Sequence, residues 1–119
     1  MGSYLSDMYK EDYLAIGQTT YDGSYTSFNN LGVSKKSILT IPPKDSYEYW
    51  LNKTNSKDWL IDLKLYNKLK KKNSFFDSDL GFRSIGFMEQ KHQFADTMLS
   101  KSFDFLVFFK NTSNSQYLK

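Results

Sequence analysis

The sequence contains no cysteine, a single histidine (His92), a single arginine (Arg83) and two prolines. Without cysteine there is no disulfide, no thiol nucleophile and no Cys-ligated zinc. With one histidine, neither a Ser-His pair backed by a second base nor a His-rich metal cluster can be assembled, and no Gly-rich phosphate loop is present. No catalytic residue, metal site or cofactor is therefore expected within the chain. One arginine against fifteen lysines argues against nucleic acid as a partner, because base and phosphate readout relies on guanidinium forks. No apolar run approaches the roughly 20 residues of a membrane-spanning helix, so no membrane partner is expected. Residues 1–7 lack the basic start and apolar centre of a signal peptide, which leaves a cytoplasmic location as the expectation.

What is present is ordinary globular material with many rings. Of the 119 residues, 39% are hydrophobic and 24% charged, which separates the chain from disordered tails and fits one domain or part of a larger one. Ten Phe, nine Tyr and two Trp supply a core. Tyr4, Leu5, Met8 and Tyr9 share one side of a helix, which is expected to pack on the short apolar run 13–17, a strand covered on both faces. Tyr21-Asp22-Gly23-Ser24 reads as a tight turn, because Asp followed by Gly supplies positive φ. Residues 26–36 are polar and read as a loop, and 37–41 as a brief strand stopped by Pro42-Pro43. Asp45, with Glu48 reaching back, predicts a capping box that starts a helix bearing Tyr47, Trp50 and Leu51 on its apolar face.

A strand is expected at 59–63, a short exposed helix or helical loop at 64–72, a connector at 73–81 and a strand at 82–87. Phe94, Met98 and Leu99 predict one side of a helix between 90 and 101. The strongest β signal is 103–109, with Phe103, Phe105 and Val107 on one face and Leu106 and Phe108 on the other. Alternation of this kind implies an α/β architecture, a largely parallel sheet with flanking helices. An opening helix laid on a buried strand further suggests part of a larger layered domain.

In open α/β sheets ligands bind beyond the carboxyl ends of the strands. Tyr21, Asp22, Gly23, Ser24 and Tyr25 are therefore the candidate rim of a substrate cleft, the alternative being a plain turn. His92 lies in a polar stretch without an orienting partner and reads as exposed and non-catalytic. Asp62 and Asp104 interrupt apolar strands; strand-end or capping roles are favoured over catalysis. The run Lys68, Lys70, Lys71, Lys72 followed by Phe75-Phe76 could stack on nucleic acid, but a solvated face explains it more simply.

Several of these segments fall in one collinear order. Met1-Gly2-Ser3-Tyr4-Leu5, Tyr13-Leu14-Ala15-Ile16-Gly17 and Tyr21-Asp22-Gly23-Ser24-Tyr25 are followed by Ile41-Pro42-Pro43 with Ser46-Tyr47-Glu48. Trp59-Leu60-Ile61-Asp62-Leu63, Arg83-Ser84-Ile85-Gly86 and Phe103-Asp104-Phe105-Leu106-Val107-Phe108 complete the series. Together they resemble the C-terminal part of the erythromycin esterase-like family, whose better-known members open macrolide lactones and confer antibiotic resistance. The resemblance implies that residues 1–119 form a C-terminal α/β segment of a hydrolase acting on a small-molecule ester. It also implies that the hydrolytic His and Glu residues lie upstream, so the segment is expected to be inactive alone, with the rest of the domain as its partner. The alternative is a small interaction protein that buries its sheet edge by self-association.

Overall fold

The structure is a computed structural model that describes residues 2–55, 57–70, 74–116 and 118. Its elements are α1 (Gly2–Tyr9), β1 (Ile16–Phe28), β2 (Ser34–Ile38), α2 (Tyr47–Leu51), β3 (Asp58–Asp62), α3 (Leu63–Leu69), β4 (Leu80–Arg83), β5 (Phe94–Thr97), α4 (Leu99–Ser102) and β6 (Phe105–Thr112). A four-stranded sheet runs β2-β1-β6-β3, and β4 and β5 form a separate pair. The α/β reading holds, with helices on the sheet, but "largely parallel" needs correcting to mixed. Within this sheet, among the described residues, β1 and β6 are the parallel pair; β2 and β3 flank them antiparallel. The connection from β1 to β2 is too short for a crossover, which forces a hairpin. Asn29 Oδ1 closes it by accepting from the amides of Leu31 and Val33, both at 2.9 Å, with Gly32 at φ +73°.

One long strand replaces two expectations. Residues 21–24 are the middle of β1 and not a turn, and most of the expected 26–36 loop is the β1–β2 hairpin. Thr19, Thr20, Tyr21 and Tyr25 favour extended backbone, and the pairing of this stretch with β6 and then β2 overrides the turn propensity of Asp-Gly. Gly23 has a different reason: a Cβ there would lie 1.9 Å from the Thr112 carbonyl oxygen of β6.

The expected helix over 90–101 is also corrected. Phe94–Thr97 pairs antiparallel with Leu80–Arg83, leaving only Leu99–Ser102 helical. Hydrogen bonding along β4 supplies long-range partners that helical periodicity alone cannot anticipate. At α2 the cap moves by one residue: Ser46 accepts from the Tyr49 amide, and Glu48 turns into the core instead of closing a box. Asp62 caps α3 by accepting from the Leu65 amide at 2.8 Å, and Asp104 accepts from the Ala15 amide at 2.8 Å, so both take the capping roles expected of them. Lys70 pairs with Asp77; Lys71 and Lys72 lie outside the described residues.

The core sits on one face of the sheet. Leu106 and Phe108 of β6 meet Tyr47 and Leu51 of α2, Leu63 of α3, Leu99 of α4 and Phe82 of β4. Truncating one of the fully buried leucines would cost about 2–5 kcal/mol. The opening helix forms, but it buries none of its residues, and Leu14 and Ile16 are exposed, so the strand after it is not covered on both faces.

Candidate functional site

β1 changes partner along its length. Residues 16–23 pair with β6 on one edge, whereas 24–28 pair with β2 on the other. Just before this change, at Thr20 and Tyr21, backbone carbonyls are met by the sequence's only arginine. Arg83, at the end of β4, is 4% exposed. Its Nε donates to the Thr20 carbonyl at 2.9 Å, Nη2 to the carbonyls of Tyr21 (2.7 Å) and Thr40 (2.9 Å), and Nη1 to Gln93 Oε1 (2.7 Å). The guanidinium plane also lies over the Phe94 ring, 4.7 Å from its centroid. Arg83 thus ties β1, the segment after β2 and β5 together through rigid, planar donors.

Glu48 lies beside it, fully buried. Its Oε1 accepts from Thr19 Oγ1 at 2.5 Å and from the Arg83 amide at 2.8 Å, while Oε2 has no hydrogen-bond partner. The two side chains form no ion pair, because the guanidinium is turned to carbonyls. Burial raises the Glu48 pKa above its ordinary 4.5, opposed by the Thr19 and Arg83 hydrogen bonds and the Arg83 charge. Burial likewise lowers the Arg83 pKa, with Glu48 the chief opposing charge.

These directions fix a sign. The folded chain keeps the Glu48 proton at a pH where the unfolded chain has lost it, so stability falls as pH rises from about 4.5 towards the raised value. Glu48→Gln, near-isosteric with the protonated acid, is expected to flatten this slope. Urea midpoints of both proteins from about pH 4.5 to about pH 8 test it; parallel curves would refute an uncharged Glu48.

Above this buried layer is a cavity of about 360 Å³, at the carboxyl ends of the parallel strands. Thr20, Ser24, Tyr25 and Thr26 of β1, Phe109 and Thr112 of β6, and Arg83 are among its lining residues. Its wall offers hydroxyls and aromatic surface, which suits an uncharged polar ligand. Of the five expected rim residues, the structure brings Ser24 and Tyr25 to this cavity. Tyr21 packs against the core, Asp22 accepts from Asn111 Nδ2 at 2.6 Å, and Gly23 abuts Thr112. Ser24 is itself engaged with Asn114, accepting from its amide at 3.1 Å. His92 is exposed and is not among the cavity's lining residues. Among the described residues no three His, Asp or Glu side chains are placed to hold a metal ion. No described helix is long and apolar enough to cross a membrane.

The sequence placed Glu48 in a capping box and assigned Arg83 no role beyond its place in a motif. The available signal was a lone arginine inside an apolar strand segment.

A family model for erythromycin esterase matches residues 1–112. The chain belongs to the erythromycin esterase family. Two solved structures share its fold. One is a protein from Bacillus cereus, 25% identical with a TM-score of 0.80, for which 99% of this chain covers 29% of that one. The other is a succinoglycan biosynthesis protein, 26% identical with a TM-score of 0.78, for which 94% of this chain covers 27% of that one. No curated protein matches. This member of the erythromycin esterase family therefore spans less than a third of these solved relatives.

Proposed function

We propose that the chain is the C-terminal scaffold of an erythromycin esterase-type hydrolase, which in its family-length form cleaves a small-molecule ester or lactone. The match to the family over residues 1–112, in a chain spanning under a third of its solved relatives, is the observation that carries this reading. In it, Arg83 and Glu48 hold the middle of β1 in place, and Ser24 and Tyr25 contribute one wall of the substrate cleft. The water-activating His or Glu comes from outside this segment. A macrolide is one substrate consistent with the family.

The isolated chain is expected to hydrolyse p-nitrophenyl esters or a macrolide lactone no faster than buffer. A family-length polypeptide carrying this segment should turn over at least one such ester. Enzymatic hydrolysis by the isolated chain that disappears in His92→Ala would reject the scaffold role.

A further inference from the structure

The sheet has a second face, and it carries an apolar patch. In the strand register Gln18, Val107 and Leu60 form one row across β1, β6 and β3, and Ile16, Phe105 and Asp62 form the next. Cross-strand partners point to the same side, opposite the buried Leu106 and Phe108. Leu60 is 71% exposed and Ile16 58%, beside partly exposed Val107 and Phe105. This surface lies across the central β1–β6 pair of the sheet, opposite the core. The same face runs into the cavity, which Gln18, Thr20 and Phe109 also line. Asp58 and Asp62 flank Leu60 along β3 on this side, both exposed, giving the patch an acidic border.

We propose that this face seats an amphipathic helix from the remainder of a family-length polypeptide, with an apolar stripe on Leu60, Val107 and Ile16. Basic side chains of that helix meet Asp58 and Asp62, and the helix closes the open side of the cavity. The occupant follows from length. The chain covers 29% and 27% of two relatives whose fold it shares, so about seven-tenths of such a protein lies outside it. A second copy would bring the Asp58 and Asp62 borders of both protomers into one interface, where like charges oppose association. The inference rests on the scaffold reading above and specifies its docking surface.

The chain itself has no native cysteine, so in it a single introduced thiol is the only one that reacts, and any cysteine of the Bacillus cereus part is first replaced by serine. Leu60→Cys reports on the face, and Ala95→Cys, exposed on β5, serves as the control. In the isolated chain both thiols should react with a maleimide at similar rates. In a chimera in which this chain replaces the matched segment of the Bacillus cereus protein, Leu60→Cys should react at least tenfold more slowly than in the isolated chain, with Ala95→Cys unchanged. Equal reactivity of Leu60→Cys in both settings would overturn the proposal. So would protection in the isolated chain accompanied by a dimer in sedimentation, since the occupant would then be a second copy. If the chimera does not fold, a cysteine at the position aligned with Leu60 in the intact Bacillus cereus protein gives the same two outcomes. Ester hydrolysis is scored separately. A protected but inactive chimera keeps the docking surface and counts against the hydrolase reading; an active chimera with an unprotected thiol does the reverse.

Discussion

Arg83→Ala is expected to destabilise the chain by about 3–5 kcal/mol, lowering the melting temperature by roughly 10–20 °C. The reason is the number of acceptors that lose their donor at once. The carbonyls of Thr20, Tyr21 and Thr40 and the Gln93 amide oxygen all take hydrogen bonds from one guanidinium, and of these the Gln93 oxygen keeps the Thr40 amide and hydroxyl as donors. In the alanine variant these groups stay in place around a void, and each buried acceptor left unpaired costs about 1–3 kcal/mol before relaxation. Arg83→Lys should recover only part of the loss, because an ammonium on a flexible stem cannot reproduce the planar fork that spans four acceptors. Thermal and urea unfolding of both variants measures this. A loss below about 1 kcal/mol in Arg83→Ala would show that water replaces the guanidinium freely. Because the same bonds fix Thr20 and Tyr21 next to the cavity, broadening of amide resonances should concentrate at residues 20–25 in Arg83→Lys.

Gly23→Ala is expected to cost about 3 kcal/mol or more, for two reasons that add. The residue sits at φ +121°, a conformation that L side chains rarely adopt. Its Cβ would also lie 1.9 Å from the Thr112 carbonyl oxygen and 2.8 Å from its carbonyl carbon. The obstacle is backbone of a paired strand, so no rotamer change relieves it. The expected response is separation of β1 and β6 at the Gly23–Thr112 register position, seen as accelerated amide exchange at residues 109–112. Gly32→Ala is the contrast. That glycine also has positive φ (+73°), but a Cβ there meets nothing within 4 Å, so only the conformational cost of about 1 kcal/mol applies. If the two alanine variants unfold alike, close strand approach is not what selects Gly23.

The residues differ in how legible they were. The two faces of β6 were plain from alternation, since Leu106 and Phe108 face one way and Phe105 and Val107 the other, but both are apolar and only the fold shows which is buried. The capping roles of Asp62 and Asp104 also followed from where they sit in apolar runs. The family could be named from a series of short motifs, and the family match over residues 1–112 bears that out. The Asp22-Gly23 turn and the helix over 90–101 failed for the same cause. Local propensity differs between conformations by about 1 kcal/mol per residue at most, and a strand ladder with β6 or β4 outweighs it. Glu48 was read as a capping partner because i+3 spacing is all the sequence shows; its burial depends on Thr19 and Arg83 arriving from 29 and 35 residues away.

By itself the sequence determined the chemistry that is scarce, the alternation of helices and strands and the faces of the strongest strand, because these depend on residue type and on periods of a few residues. The tertiary structure decided strand directions, the partner switch along β1, the reason for Gly23 and the burial of the only arginine beside Glu48. Each of those depends on which distant backbone comes to lie alongside, and the carbonyls that Arg83 meets come together only once that pairing is made.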